Sequence, residues 1–473
     1  MGRPAFIRFL TGRHHTVAAT HAPAATHSVR TAPTARTVPT GVRWGGESAT
    51  WDDLLARGRD RSVAVRAGGT YAVDPAAGLE ALASLFAVAV VQDTVLLWAS
   101  PEFLGVAHRQ IAPALSEVAA GELPLSRPDH RPMWGVCTSG TSAASGASAG
   151  SGASGGLSRP KVAIGYADEW ELIALHCEAA IYRDALPDGP PEALATCLPL
   201  GFSAAFFMSV LPALYFRRDL LVFSPHDWSP LYELARTRRV AALGVPALAA
   251  AACLAEDGPT DMGSVALFLG GGHLSGPRVD LIRERFTGVS LSNLYGTAET
   301  GAVALDHAPG HNRHVGRPVA GKSVWLLDPD ERGIGAVAVE GPGRCRRLWR
   351  PGTEPAATGA GEATGTDYAR FDEDGNLCLE GRLDGGEKLS GVLVYPREIE
   401  RHVLALDGVG DVRVTVERAP SGLEFLAARV IGGVDERTVR DHCEALPERH
   451  RPSRISCASE REAASAYSTH GKL

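Results

Sequence analysis

Short apolar runs, separated by polar turns rich in Gly and Pro, follow one another along most of the chain. Runs of about 4–8 apolar residues bounded in this way are typical of buried β-strands, and apolar residues three and four positions apart indicate amphipathic helices. The repeated strand-then-helix order predicts an α/β fold with mostly parallel β-sheets, whose functional loops gather at the carboxyl ends of the strands. The predicted strands are 88–91, 94–98, 134–137, 194–200, 220–223, 240–246 and 265–269, and the main predicted helices are 168–186 and 204–215.

The pattern changes twice towards the end of the chain. From Val315 onwards, short strands and turns predict a small β-rich part of the large N-terminal domain. Beyond Pro396, a helix with Ile399 and Val403 on one face is followed by strands at 412–416 and 425–431 and a helix at 437–446. We therefore predict a large domain at 47–383, followed by a small α+β domain at 384–473.

The N-terminal segment differs from the rest in charge. Glu47 is the first acidic residue, and the residues before it carry only Arg and His charges among many Thr, Ala and Pro. Residues 1–46 are therefore predicted to be a disordered tail or the product of an upstream start site. The first predicted helix follows, with Thr50 as its N-cap and Trp51 and Leu54 on its apolar face.

Composition excludes several classes of protein. The net charge of −7 argues against a nucleic-acid-coating protein, because such binding needs concentrated Lys and Arg. No apolar run approaches the roughly 20 residues that span a bilayer, so no membrane partner is expected. The eight cysteines show no paired spacing typical of a zinc site or a disulfide framework, which favours a reducing, cytoplasmic setting.

The stretch after the predicted strand 134–137 has the composition of a phosphate-binding loop. It contains Thr138, Ser139, Gly140 and Thr141, and Lys161 closes the segment. Small residues let the backbone surround phosphate oxygens, hydroxyls and N–H groups donate to them, and a lysine neutralises their charge. Residues 142–158 consist of Ser, Ala and Gly apart from Leu157, which predicts a flexible insertion. A second register, 153–161, has no insertion and fewer hydroxyls, and both registers keep Lys161.

The same insertion contains accidental motifs. Segments 146–150 and 152–156 fit the hydrolase pattern G-x-S-x-G, and 150–155 fits the dinucleotide pattern G-x-G-x-x-G. Both patterns require an apolar strand immediately before them, and neither has one. A serine hydrolase is therefore the most distant of the functions considered.

Several separated segments together resemble the adenylate-forming superfamily, which contains acyl-CoA synthetases, adenylation domains of peptide synthetases and luciferases. The resemblance covers residues 130 to 473, with a thinner match from 49 to 129. The matching segments are Thr138-Ser139-Gly140-Thr141 with Pro160-Lys161, Tyr295-Gly296-Thr297-Ala298-Glu299, Asp367, Gly381-Arg382-Leu383-Asp384, Lys388 with Gly391, Pro396 with Glu398-Ile399-Glu400, and Gly471-Lys472.

This resemblance implies an ATP- and magnesium-dependent enzyme whose small domain is a mobile lid. It assigns Lys472 to catalysis at the carboxylate and α-phosphate, and it assigns Glu299 to catalysis and to magnesium. Tyr295 is expected to stack on adenine, and Asp367 and Arg382 to contact the ribose. Asp384 is the implied hinge, and Lys388 and Gly391 belong to the thiol-transfer conformation. The remaining implied ATP or AMP contacts are Thr138, Ser139, Gly140, Thr141, Lys161, Gly271, Gly272, Asn293, Gly296 and Thr297.

The chain also departs from the family pattern. Ala298 replaces the threonine expected before the magnesium glutamate, and Ala336 stands where relatives often have glutamate. The segment 198–206 carries neither the histidine common among acyl-CoA ligases nor the aspartate that holds an α-amine. An apolar pocket without a carboxylate disfavours an ammonium group, so a fatty, aryl or other uncharged-bodied acid is predicted. The pocket residues implied are Gly201, Phe202, Ser203, Phe206 and Gly270.

Our main functional hypothesis is a ligase that adenylates a carboxylic acid and transfers the acyl group to coenzyme A or a carrier-protein thiol, in secondary metabolism. One alternative is a diazotase that adenylates nitrite for attack by an aryl amine. Another is a nucleotide-binding pseudoenzyme that serves as a partner or scaffold. A metal site at His307, His311 and His314 is weakly indicated, because their spacing lacks supporting Cys or carboxylate ligands other than Asp306.

Overall fold

The structure is a computed structural model that describes residues 40–125, 130–137, 160–311, 314–359, 367–382, 387–389, 392–418, 424–464 and 467, with only the backbone at 382, 387, 388, 392 and 393. Among these residues, no helix combines the length and apolarity needed to cross a membrane.

The first part of the large domain alternates helices with short strands. Helix α1 begins after Thr50, whose side chain accepts from the Asp53 N–H while the Asp53 carboxylate accepts from the Thr50 N–H; the two contacts form a capping box. The elements are β1 (Gly41–Trp44), β2 (Glu47–Thr50), α1 (Trp51–Ser62), β3 (Thr70–Val73), α2 (Leu79–Ala89), β4 (Val95–Trp98), α3 (Pro101–Leu104), β5 (His108–Ala112), β6 (Leu115–Val118) and β7 (Met133–Cys137).

The middle of the chain supplies most of the main sheet. A strand, β8, follows Lys161 directly, and a π-helical turn lengthens each of two helices, at Glu178–Tyr182 and at Phe206–Val210. The elements are β8 (Val162–Tyr166), α4 (Trp170–Cys177), β9 (Ala193–Thr196), α5 (Ser203–Ala205), α6 (Leu211–Phe216), β10 (Asp219–Val222), α7 (Ser229–Ala235), β11 (Val240–Gly244), α8 (Pro246–Ala255), β12 (Thr260–Asp261), β13 (Val265–Gly270), α9 (Gly276–Arg285), β14 (Phe286–Thr287), β15 (Ser290–Thr297) and β16 (Gly301–Asp306).

The last part is rich in strands. It holds β17 (Arg317–Pro318), β18 (Ser323–Leu327), β19 (Gly335–Glu340), β20 (Arg347–Trp349), β21 (Ala356–Ala357), β22 (Asp367–Phe371) and β23 (Leu377–Arg382). The small domain holds β24 (Glu387–Leu389), β25 (Val392–Val394), α10 (Pro396–Leu404), β26 (Val409–Arg418), β27 (Glu424–Gly432), α11 (Glu436–Cys443), β28 (Arg454–Ala458) and α12 (Glu460–Ala463).

Two large mixed sheets form the centre of the large domain. The first runs in the order β17-β16-β15-β13-β11-β9-β10-β1-β2, and the consecutive pairs from β15 to β1 are parallel. The second runs in the order β21-β20-β8-β7-β4-β3-β6-β5. A four-stranded antiparallel sheet, β18-β19-β22-β23, and the three-stranded sheet of the small domain, β26-β27-β28, complete the larger sheets. The predicted α/β class is confirmed, and the elements after Pro396 are consistent with the predicted α+β C-terminal part.

Aromatic side chains from strands and helices pack together in the main core. Trp98, Trp134, Trp170 and Phe206 are at most 1% exposed, and the ring of Phe206 lies 5.3 Å from Trp98 and 5.4 Å from Trp170, centroid to centroid. Packing of such aromatic rings removes large apolar areas from water, and this burial is the dominant favourable term in folding.

Two local predictions were wrong, and one strand was missed. Residues 88–91 were predicted as a strand, but helix α2 runs to Ala89, because burial of nearly the whole helix in the core outweighs the β-preference of its valines. The strand β8 between Lys161 and the next helix was not predicted, whereas the helix predicted at 168–186 is present as α4 and the π-helical turn that follows it. Ordered structure begins before residue 47, because β1 pairs with β10 and with β2.

Candidate active site

The carboxyl ends of four neighbouring parallel strands lie at one edge of the main sheet. These strands are β9, β11, β13 and β15, and they end at Thr196, Gly244, Gly270 and Thr297. Each is followed by a segment with candidate site residues: Gly201 and Phe202, Val245 and Pro246, Gly271 and Gly272, and Ala298 and Glu299. Parallel strands place their loops at the same edge, so residues that are far apart in the sequence meet here.

A lysine from the second sheet reaches this edge. Lys161 immediately precedes β8, and its Nζ lies 2.6 Å from Glu299 Oε1. The two side chains are only 16% and 5% exposed. Strand β7 pairs with β8 so that Cys137 lies opposite Val162, which brings the two ends of the predicted phosphate loop together. The structure thus joins Lys161 and Glu299, which the sequence placed in separate motifs.

The turn that carries Glu299 is held through its backbone as well. The Glu299 carbonyl accepts a 2.7 Å hydrogen bond from the Cys345 N–H, and the hydroxyl oxygens of Thr297 and Thr300 lie 2.9 Å apart. Thr300 is fully buried. The carboxylate of Glu299 therefore sits on a turn with little freedom to move.

Tyr295 and Asp367 form a second contact at this edge. The Tyr295 hydroxyl donates to Asp367 Oδ2 at 2.7 Å, and the ring is buried in an apolar cluster with Val303, Val337 and Leu377. Asp367 pairs across the β22–β23 ladder with Arg382. The predicted ribose residues are thus neighbours in the backbone, whereas adenine stacking by Tyr295 stays a prediction.

Glycines along the edge lie close to apolar side chains. Gly271 has φ +73°, and a Cβ placed there would lie 3.6 Å from Val245 Cγ1 and 3.8 Å from Phe202 Cε1. A Cβ at Gly272 would lie 3.6 Å from Pro246 Cδ. The predicted residues Phe202, Gly271 and Gly272 are therefore neighbours, together with Val245 and Pro246.

Two other glycines are required by close backbone approach. A Cβ at Gly270 would lie 2.5 Å from the Leu294 carbonyl oxygen, and one at Gly296 would lie 2.4 Å from the Gly301 oxygen. Gly296 also follows a β-bulge at Tyr295. At Gly201 a Cβ would lie 3.4 Å from Pro75 Cγ, which places that loop against Pro75. Asn293 lies on β15 and is 8% exposed.

Two predicted pocket residues differ in their surroundings. Ser203 begins helix α5 and is half-buried. Phe206 is fully buried, and its ring packs between Trp98 and Trp170. Its assignment to the acid pocket stays a prediction.

Part of the predicted site lies outside the described residues. This applies to Thr138, Ser139, Gly140, Thr141, Asp384, Gly391 and Lys472, and to the side chains of Arg382 and Lys388. The two possible registers of the phosphate loop, and the roles of these residues, stay predictions.

The three histidines after β16 have separate partners. His311 Nε2 lies 2.7 Å from Asp280, His314 Nδ1 lies 3.6 Å from Asp306, and His307 Nδ1 lies 3.4 Å from the Ser292 hydroxyl. Within the described part of the chain, no group of three or more His, Cys, Asp or Glu residues is arranged to hold a metal ion.

Sequence reasoning missed two buried cations near the site. Lys322 is 9% exposed and donates to the Thr300 carbonyl at 2.6 Å. Burial lowers the pKa of Lys322 to about 8. Arg278, on α9, is 1% exposed and contacts Glu460 at 2.8 Å and Asp411 at 3.1 Å, both in the small domain. No motif marked either residue, because a single Lys or Arg in a sequence is expected at the protein surface.

The contacts of Arg278 join the two domains. Burial alone would lower the pKa of Arg278, but the carboxylates of Asp411 and Glu460 outweigh this effect and raise it above the ordinary value. Its guanidinium also donates to the Tyr467 hydroxyl. The Ser275 hydroxyl donates to the Gly410 carbonyl at 2.8 Å. The start of α9 thus lies against β26 and the C-terminal end of the described chain.

The chain is similar to known proteins. The family of AMP-binding enzymes matches residues 167–349. Tyrocidine synthase 2 of Brevibacillus parabrevis is 28% identical over 39% of this chain and 6% of its own length. The long-chain-fatty-acid–CoA ligase of Salmonella typhimurium is 30% identical over 51% of this chain and 45% of its own. The chain thus spans less than half of either relative.

The fold is shared with solved structures. ATP-bound MatB from Rhodopseudomonas palustris superposes with a TM-score of 0.61 at 18% identity, over 90% of this chain and 93% of that one. The likeness extends over both domains of the chain and establishes the fold.

Proposed function

We propose that this chain, of which residues 167–349 match the family of AMP-binding enzymes, is an ATP-dependent adenylate-forming ligase. It activates an acyl or aryl carboxylic acid as the acyl adenylate and passes the acyl group to the thiol of coenzyme A or of a carrier protein. The observation that carries this proposal is the 2.6 Å contact between Lys161 and Glu299 at the carboxyl edge of the main sheet.

That contact joins the end of a phosphate-loop sequence to the acidic residue of a second motif. A lysine and a carboxylate this close form a charge-matched pair that can separate when a nucleotide arrives, since phosphate oxygens then attract the ammonium. In the first step, a carboxylate oxygen attacks the α-phosphorus of ATP, the new P–O bond forms, and pyrophosphate leaves. Such a reaction depends on positioning and charge neutralisation, which Lys161 supplies at the phosphates.

The residues present fit a magnesium ion. Glu299 offers a buried carboxylate on a fixed turn, and the Lys161 ammonium on Oε1 shows that a cation is accepted at this oxygen. Carboxylate oxygen is a ligand that magnesium prefers. When bound, the ion neutralises phosphate charge. Glu299 would hold it, and Lys161 would then be released to the phosphates.

The nucleoside end of ATP has candidate partners on the same edge. Asp367, fixed by the 2.7 Å bond from Tyr295, offers a carboxylate that can accept from ribose hydroxyls. Lys472 is proposed as the cation at the carboxylate and α-phosphate. Asp384, Lys388 and Gly391 are proposed to act when the small domain turns for thiol transfer, in which the thiol attacks the acyl carbon and AMP leaves.

The apolar surroundings of Phe202 and Gly271 support an acid with an uncharged body. Val245 and Pro246 are neighbours of Gly271 and Gly272. No side chain of Phe202, Val245 or Pro246 can pair with an ammonium group. A charged amine buried there without a partner is strongly disfavoured. We therefore propose that the substrate is a fatty or aryl acid. We also propose that the enzyme acts in the cytoplasm, in secondary metabolism.

The test is AMP release from ATP and magnesium with a panel of fatty, aryl and amino acids and nitrite, each with and without coenzyme A. We expect release with uncharged-bodied acids and a further product with the thiol. Release that needs nitrite and an aryl amine, without thiol dependence, would instead support a diazotase. ATP binding without turnover on any acid would support a pseudoenzyme.

A further inference from the structure

Lys322 is a buried lysine directly behind the turn that carries Glu299. Its Nζ donates to the Thr300 carbonyl at 2.6 Å and also to the Pro342 carbonyl. Thr300 follows Glu299 in the sequence, and Pro342 lies in the turn after β19. The ammonium therefore joins two turns that belong to different sheets.

Glycines make room for this lysine. A Cβ at Gly341, where φ is +131°, would lie 3.0 Å from Lys322 Cδ and 2.9 Å from the Gly321 oxygen. Gly301 and Gly343 also have positive φ, and a Cβ on Gly301 would lie 3.5 Å from the Gly343 Cα. The two turns are thus in direct contact, and the Lys322 side chain runs beside that contact.

A lysine here does what an apolar side chain of the same length could not do. Two carbonyl oxygens converge on its ammonium, and a buried carbonyl without a donor is costly. Burial of the charge lowers the pKa of Lys322 to about 8, so holding an ammonium at this position is itself unfavourable. A residue that keeps such a charge in place of a methionine or leucine has a role beyond filling space.

We propose that Lys322 is a positioning residue for Glu299: by holding the carbonyls of Thr300 and Pro342, it fixes the carboxylate where a divalent cation and ATP phosphates are bound together. Cys345 supports the same turn through its 2.7 Å bond to the Glu299 carbonyl, and Lys161 contacts the carboxylate itself. Lys322 thus acts through the backbone and touches neither nucleotide nor ion. This inference rests on the proposed function.

The inference is tested by metal-linked nucleotide binding to the full chain. Dissociation constants are measured by calorimetry for ATP with Mn²⁺ and for ATP with EDTA, and electron paramagnetic resonance reports free Mn²⁺. The variants are Lys322→Met and, as a matched control, Arg218→Met. Arg218 forms an ion pair with Glu178 at 2.6 Å, in which both side chains are 13% exposed, and it lies far from Glu299 in the sequence. Both variants lose one cation that is largely removed from solvent.

We expect Lys322→Met to raise the dissociation constant of ATP about tenfold in the presence of Mn²⁺. A tenfold loss is at the low end of the range that is typical when a residue supporting a metal ligand is replaced. Binding in EDTA should be unchanged, and Arg218→Met should bind as wild type under both conditions. If Mn²⁺ strengthens ATP binding by the same factor in Lys322→Met and in wild type, the inference is wrong. If Lys322→Met does not fold, Lys322→Gln, which keeps two N–H donors at shorter reach, takes its place and should show a smaller loss.

Failure of the inference and failure of the proposed function are separate outcomes. A wild-type chain that binds no ATP with Mn²⁺ would contradict the function itself. A wild-type chain with Mn²⁺-enhanced binding, together with variants that retain it, would contradict only the role of Lys322.

Discussion

Lys161 Nζ and Glu299 Oε1 lie 2.6 Å apart, on segments that come from two different sheets. Removing only the lysine leaves a carboxylate that is 5% exposed without this partner. We expect Lys161→Met to lower the free energy of unfolding by about 3 kcal/mol, because a buried charge is left uncompensated. Urea denaturation measures this change. The double variant Lys161→Met/Glu299→Gln should cost less than the sum of the two single variants.

The control for this prediction is the exposed pair of Arg57 and Glu80. Their side chains are 45% and 39% exposed, so Arg57→Met should change stability by less than about 1 kcal/mol. Strictly additive effects of the Lys161 and Glu299 substitutions would show that the two side chains do not interact.

Asp367 is expected to distinguish nucleotides by their ribose. Wild type should bind ATP about tenfold more tightly than an analogue without ribose hydroxyls, because hydrogen bonds to a charged group are among the stronger ones. Asp367→Asn should bind the two nucleotides nearly equally, and Tyr295→Phe should show a partial loss, since the hydroxyl that holds Asp367 is gone. Calorimetric titration with both nucleotides measures this ratio. If Asp367→Asn still binds ATP about tenfold more tightly than the analogue, the assignment of Asp367 to the ribose is wrong.

Gly271→Ala should narrow the proposed acid pocket. The new methyl would lie at van der Waals distance from Val245 and Phe202, at a backbone φ of +73°. We expect kcat/KM for bulky acids to fall about tenfold, which is the effect expected when one methyl group does not fit. The value of kcat/KM for small acids should fall less. Gly375→Ala is the control, because its φ of +78° imposes the same strain with no neighbour within 4 Å. Equal effects of both variants on bulky acids would assign the loss to strain.

Arg278 is expected to hold the small domain against the large one. Arg278→Leu removes contacts to Asp411, Glu460 and Tyr467, and leaves two carboxylates without their shared cation. The contact between the two domains should become less stable by about 3 kcal/mol. The small domain should then separate from the large one more often, and small-angle scattering should show a larger radius of gyration. Arg283→Leu alters an exposed arginine of the same helix and should change nothing. An unchanged radius and unfolding temperature in Arg278→Leu would refute the prediction.

Lys322 gives stability a particular pH dependence. Its pKa is lowered by burial from 10.5 to about 8, so between these values the unfolded chain holds a proton that the folded chain has released. Stability of wild type relative to Lys322→Met should therefore rise from pH 8 towards 10.5, by at most about 1.4 kcal/mol per pH unit. Below pH 8 both states are protonated, and the difference should be flat. Parallel stability curves for the two proteins would contradict this prediction.

Most strands of the main sheet could be predicted, because they are short apolar runs with clear ends, whereas their order in the sheet could not. The contact between Tyr295 and Asp367 could not, since it depends on which strands of different sheets face one another, and this is decided by packing over long sequence separations. Lys322 and Arg278 could not be predicted for the same reason. The partners of Lys322 lie at 300 and 342, and those of Arg278 lie at 411 and 460. The contacts of Phe206 with Trp98 and Trp170 could not be predicted either, because an apolar sequence context is typical of a core and of a pocket alike.

The loop before Lys161 illustrates a further limit. A lysine after a small-residue loop predicts phosphate binding, but the motif does not state which element follows. The chain continues as β8 because Val162 and Ile164 pack into the second sheet, where Val162 lies opposite Cys137. Lys161 therefore reaches Glu299 from a strand rather than from a helix N-terminus.

The most direct test of adenylate formation follows the oxygen of the acid. An acid that supports AMP release is supplied with both carboxylate oxygens labelled with ¹⁸O, and AMP is analysed by mass spectrometry after thiol transfer. If the carboxylate attacks the α-phosphorus, each AMP molecule carries one labelled oxygen and pyrophosphate carries none. Label found in pyrophosphate or inorganic phosphate, with unlabelled AMP, would contradict an acyl adenylate and with it the proposed function.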